Sequence, residues 1–141
     1  MEVTTEIVQS LLNQGKFFEA IDLCNKILSD DPKSIEALKI LAKSFFALSK
    51  IEEARSSLTK ILNIKPDDYE AIKDLGNTYQ AIGEINNAKL YFQKALSINS
   101  SYAPALTNLG SIELTSGNKQ EALSLLVKAT QSDPQLAPAW I

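Results

Sequence analysis

The stretch Leu75-Gly76-Asn77-Thr78-Tyr79-Gln80-Ala81-Ile82-Gly83, followed by Ala88, Phe92 and Ala95, decides the fold. Leu75, Tyr79 and Ile82 recur at the spacing of one helical face. Gly83 breaks that pattern, and Ala88, Phe92 and Ala95 resume it on a second helix. The unit therefore reads as one antiparallel helix pair of about 34 residues. Gly76 and Ala88 are the small residues expected to let its two helices approach closely.

Steps of 34 residues in both directions find the same register. Leu75 maps onto Ile7, Leu41 and Leu109, and Gly76 onto Val8, Ala42 and Gly110. Tyr79 maps onto Leu11, Phe45 and Glu113, and Gly83 onto Gly15, Ser49 and Gly117. Ala88 maps onto Ala20, Ala54 and Ala122, an alanine every time. Phe92 maps onto Cys24, Leu58 and Leu126, and Ala95 onto Ile27, Ile61 and Ala129. Pro32, Pro66 and Pro134 close the units, with Ser100 the exception. Four units, 1–34, 35–68, 69–102 and 103–136, tile the chain without insertion. Residues 137–141 open a fifth, because Ala137-Pro138-Ala139-Trp140 stands 34 residues after Ala103-Pro104-Ala105-Leu106. The chain is expected to be a fragment of a longer protein.

The pattern resembles the tetratricopeptide repeat: a large apolar residue, Gly, an aromatic three further on, a turn Gly, then Ala, aromatic, Ala. That resemblance implies an all-α, right-handed α-solenoid of antiparallel helix pairs whose first helices line a concave groove. In such arrays each unit packs mainly on its neighbours. The second, fifth, ninth and twelfth places of each unit then face the groove. They are Glu2, Thr5, Gln9 and Leu12, then Glu36, Lys39, Lys43 and Phe46. Glu70, Lys73, Asn77 and Gln80 follow, then Pro104, Thr107, Ser111 and Leu114. Relatives that grip C-terminal carboxylates use a Lys and an Asn four apart and an Asn on the next repeat, and Lys73, Asn77 and Asn108 match those places. Pro138 stands where such a clamp needs its second lysine. The expectation is a generic peptide groove formed by Lys39, Lys43, Phe46, Lys73, Asn77 and Asn108, with an acidic peptide as its partner. The lysines either meet that ligand or only keep an exposed face soluble.

Composition narrows the function classes. The 141 residues carry a net charge of −3, and Arg55 is the only arginine, which argues against nucleic acid as a partner. A single cysteine excludes an internal disulfide framework, and Cys24 reads as a small buried apolar residue. The first residues carry no secretory signal pattern and no apolar run approaches membrane-spanning length, so a cytoplasmic location away from membranes is expected. There is no histidine, no pair of cysteines and no glycine-rich phosphate loop. Neither catalysis nor a metal or cofactor is expected of this chain. Asp30-Asp31 and Asp67-Asp68 read as turn and cap residues. Two functions follow: a scaffold that holds peptide segments, or the N-terminal module of a larger sulfotransferase- or glycosyltransferase-type enzyme, which such regular arrays resemble.

Four local expectations are open to structural test. Ser34 should cap the helix after it, whereas Ser49 with Glu52 and Asn118 with Glu121 have capping-box spacing. Glu113, replacing an aromatic, should face solvent or thin the groove wall. Phe18, where other units have Glu52, Asn86 and Gln120, should be a scattered exposed aromatic or a lid on an exposed end rather than a docking site. Leu123, Leu126 and Val127 should in part await a fifth unit, so self-association through the C-terminal end, or cover from Trp140, is expected.

Overall fold

The computed structural model describes residues 3–133. The fifth-unit opening at 137–141, including Trp140, and Pro134 lie outside the described residues. Among the described residues there are eight α-helices and no strand: α1 Thr5–Asn13, α2 Phe17–Asp30, α3 Ile35–Ala47, α4 Ile51–Ile64, α5 Tyr69–Ala81, α6 Ile85–Ile98, α7 Ala103–Thr115 and α8 Lys119–Ser132. From α3 on, each odd-numbered helix begins 34 residues after the one before it, and the even-numbered helices keep the same interval. The chain divides into two compact units, residues 1–71 and residues 72–141.

One turn design reverses the chain within every pair. Gly15, Gly83 and Gly117 sit at positive φ, and Ser49 takes the same left-handed conformation at φ 59°. The next residue then donates its N–H to a carbonyl near the end of the preceding helix. Lys16 reaches Leu11 at 2.9 Å, Lys50 reaches Phe45 at 2.8 Å, Glu84 reaches Tyr79 at 2.9 Å and Asn118 reaches Glu113 at 2.8 Å. Ser49 therefore does the work of the turn glycine and does not cap α4. The capping position falls to Lys50, whose side chain makes no cap hydrogen bond, so the expected capping box is corrected. Asn118 does occupy the capping position of α8 but makes no side-chain cap bond either. Its amide is drawn instead to Glu113, onto which it donates at 2.6 Å. Side-chain caps do form at the starts of α3 and α5. Ser34 Oγ accepts from the Ala37 N–H at 3.2 Å and Asp68 Oδ1 accepts from the Ala71 N–H at 3.0 Å.

In the N-terminal unit, Val8, Ala20, Cys24, Ile40 and Leu41 form a core around which Leu11, Ile27 and Phe45 pack. In the C-terminal unit, Ala88, Phe92, Leu109 and Ile112 form one cluster and Ala103, Leu106 and Ala129 another. The alanines common to all four pairs, Ala20, Ala54, Ala88 and Ala122, are all buried. Bulk is traded between two equivalent positions of each pair. A Cβ placed on Gly76 would lie 2.6 Å from Phe92, and one on Gly110 would lie 2.9 Å from Leu126. At the matching positions the larger Ala42 goes with Leu58 and the largest, Val8, with the small Cys24. Val8 and Cys24 are both fully buried in one cluster. Constant summed volume preserves close packing, because interiors tolerate neither voids nor overfilling. Burial also pushes the Cys24 thiol up to about 11, so it is a packing residue and a poor nucleophile.

Candidate functional site

The N-terminal unit contains an open cleft of about 490 Å³. Thr5, Glu6 and Gln9 of α1 and Glu36, Lys39 and Lys43 of α3 line it. These residues sit on exposed faces because their helices bury Val8 on one side and Ala37, Leu38, Ile40 and Leu41 on another. Thr5 donates its hydroxyl to Glu36 at 2.9 Å, and Gln9 donates to Asn13 at 3.0 Å.

The two lysines of this cleft are already engaged. Lys39 lies 3.1 Å from Asp68 and 3.3 Å from Glu70, and Lys43 lies 3.2 Å from Glu70. Asp68 is almost wholly buried and also caps α5, so one carboxylate fastens a helix start and holds a lysine. Burial alone would lower the Lys39 pKa, but the hydrogen bond to Asp68 and the charge of Glu70 raise it above its ordinary value. Burial likewise pushes Glu70 up, yet the ammonium groups of Lys43 and Lys39 hold its carboxyl below the usual range. Phe46, one turn beyond Lys43 on α3, is 38% exposed and is not part of the cleft lining.

In the C-terminal unit the structure brings Asn77 and Asn108 together: Asn108 Nδ2 donates to Asn77 Oδ1 at 2.8 Å. Each amide carries two donors and one acceptor oxygen. The bond between them leaves the Asn77 NH₂ as a donor and the Asn108 oxygen as an acceptor. Lys73 does not join this pair. Its Nζ lies 2.7 Å from Asp74, and both side chains are mostly buried. All three lysines expected to contact a ligand therefore have carboxylate partners within their own units.

Glu113 corrects the expectation that it faces solvent: only 2% of it is exposed. Lys89 of α6 lies 2.6 Å from one carboxylate oxygen and Asn118 donates to the other at 2.6 Å. The Lys89 bond, aided by that from Asn118, holds the carboxyl below its usual range against a desolvation that works the other way. Where the preceding pair stacks Tyr79 on Tyr91, with centroids 5.2 Å apart, this pair substitutes a charge-assisted cluster. Sequence pattern does not reveal it, because Lys89 and Asn118 occupy positions that are unremarkable when read singly. Phe18 is exposed, as its register implies. Leu123 and Val127 of α8 are exposed too, while Leu126 turns inward against Gly110. Among the described residues no group of three or more His, Cys, Asp or Glu is placed to hold a metal ion. No described helix is long and apolar enough to cross a membrane.

Paired helices of uniform spacing, turned on left-handed residues and joined through alternating bulk, define a helical-repeat protein of the all-α solenoid class. The chain belongs to the tetratricopeptide repeat family, which matches residues 11–77, 70–102 and 103–136. Among solved structures, MamA is 28% identical, with 91% of this chain and 75% of that one covered at a TM-score of 0.73. TTC0263, a thermophilic TPR protein of Thermus thermophilus, is 20% identical, covering 92% of this chain and 72% of its own at a TM-score of 0.82. The first TPR of Spaghetti (RPAP3), bound to the HSP90 peptide SRMEEVD, is 23% identical over 80% of this chain and 90% of its own at a TM-score of 0.72. No curated protein matches the chain.

Proposed function

We propose that this protein is a peptide-binding scaffold built from four repeats, 1–34, 35–68, 69–102 and 103–136, with no catalysis of its own. Lys39, Lys43 and Phe46 in the N-terminal unit and Lys73, Asn77 and Asn108 in the C-terminal unit are its contact residues. The observation that carries this reading is the Asn77–Asn108 pair. Its free amide donor and free carbonyl acceptor match the C=O and N–H that every extended peptide presents, whatever its side chains. Phe46 offers exposed apolar area for one side chain of the ligand. A protein of the same fold, the first TPR of Spaghetti, holds a seven-residue peptide, which supports a ligand of this kind. An acidic ligand is less favoured than the count of lysines implies, because it must first displace Asp68, Glu70 or Asp74 from them. The test is a dodecapeptide selected against the full chain by phage display. Asn77→Ala with Asn108→Ala should weaken its binding about tenfold, two hydrogen bonds at a net ~0.5–1.5 kcal/mol each, with helical content unchanged. Undiminished binding by the double variant would refute the assignment.

We also infer self-association of two copies through α8, supported by the exposed Leu123 and Val127. Leu123→Glu with Val127→Glu should then lower the sedimentation coefficient at high concentration. A coefficient that is monomeric for both proteins would end that inference.

A further inference from the structure

The charge of the chain is unevenly divided. Residues 1–71 hold twelve acidic and nine basic side chains, whereas residues 72–141 hold five of each. The whole excess negative charge thus belongs to the N-terminal unit, and its cleft shows where some of it is presented. Lys39 and Lys43 are matched by Asp68 and Glu70, a locally neutral set. Glu6 and Glu36 remain, and neither has a cationic partner among the described residues. Glu36 accepts only the Thr5 hydroxyl, which fixes the carboxylate while leaving its charge uncompensated. Gln9, Ser10 and Asn13 add further neutral hydrogen-bonding groups to the same walls.

From this balance we propose that the α1–α3 cleft takes a lysine- or arginine-bearing segment of a partner protein, a basic rather than an acidic peptide. The proposal rests on the scaffold reading above and names the ligand class for its N-terminal part. A cationic side chain entering the cleft finds two unpaired carboxylates and amide oxygens, and breaks no existing ion pair. An acidic side chain entering the same place meets Glu6 and Glu36 and gains a lysine only by expelling Glu70 or Asp68. Like-charge contact and displacement both count against it, so complementarity selects the cation. The 490 Å³ of the cleft accommodates an extended stretch of a few residues.

The test compares two fluorescein-labelled nonapeptides, lysine alternating with serine and glutamate alternating with serine, by anisotropy at low salt on the full chain. The lysine peptide should bind more tightly, and Glu6→Gln with Glu36→Gln should weaken it roughly three- to tenfold, the effect of two exposed charge contacts. Glu84→Gln with Glu121→Gln removes the same net charge from the C-terminal unit and should leave binding almost unaltered. Tighter binding of the glutamate peptide, or equal losses in the two double variants, would overturn the proposal. If neither nonapeptide binds while a phage-selected dodecapeptide does, the basic class is wrong and the scaffold stands. If the selected peptide fails as well, the scaffold reading falls with it.

Discussion

The two compact units use the same helix pair but differ in how they place bulk and charge. The C-terminal unit puts glycine against a large side chain, Gly76 against Phe92 and Gly110 against Leu126. In the N-terminal unit the first-helix residue is larger: Ala42 corresponds with Leu58, and Val8 shares a core with the small Cys24. Charge follows the same contrast. The C-terminal unit is neutral and buries its one charged aromatic replacement, Glu113, in contact with Lys89. The N-terminal unit is acidic and leaves Glu6 and Glu36 open at a cleft. The repeat constrains summed volume at a contact and is indifferent to which helix supplies it. Polar positions outside that contact are free to diverge, and recognition can be built there without cost to the fold.

The largest expected effect comes from violating the volume rule where it is tightest. Gly76→Ala sets a methyl 2.6 Å from the Phe92 ring, and Ala88→Leu forces bulk into a fully buried site. Each should cost about 1–3 kcal/mol in denaturant unfolding. An unchanged midpoint would break the packing account. The N-terminal unit sharpens it through compensation: Val8→Ala and Cys24→Leu should each destabilise, and the double variant, which copies Ala42 with Leu58, should recover most of the loss. Additive losses in that cycle would show the two positions to be independent.

Next in size is the buried carboxylate. Lys89→Met leaves Glu113 with only the Asn118 amide and should destabilise by about 1–3 kcal/mol, the cost of a buried acceptor short of a partner. Its folded pKa lies below the unfolded value, so its stabilisation is present above the unfolded carboxyl pKa and is lost as pH falls through the folded one. The wild type should therefore lose more stability than Lys89→Met between neutral and acid pH, and parallel pH curves would contradict the pairing. The smallest effect is at Ser49, the one non-glycine at positive φ among the described residues. Ser49→Gly removes a left-handed penalty of about 1–2 kcal/mol and adds chain entropy to the unfolded state, for a net gain under ~1 kcal/mol in the same unfolding measurement.

The fold is legible in the sequence because its signals repeat. The alanine series from Ala20 to Ala122 and the turn series from Gly15 to Gly117 reinforce one another, and Ser49 is readable as a glycine substitute from register alone. Capping-box spacing misleads at Ser49, which takes the left-handed turn itself, and at Asn118, whose amide is drawn to Glu113. The sequence places the expected contact residues only in part: Phe46 stands outside the cleft lining and Lys73 pairs with Asp74. Lys39 and Lys43 stand in the cleft where the register places them, yet their partners Asp68 and Glu70 lie about thirty residues on in sequence, and Asp68 reads there only as a cap. Long-range ion pairs leave no periodic trace, so a count of lysines misjudges the charge a ligand meets.

The proposed scaffold function predicts recognition through Asn77 and Asn108 rather than around Phe18. Chemical-shift mapping of the uniformly ¹⁵N-labelled full chain, titrated with the phage-selected dodecapeptide, tests this most directly. The side-chain amide resonances of Asn77 and Asn108 should move. Shifts confined to residues around Phe18 or to α8, with both asparagine amides unmoved, would contradict it.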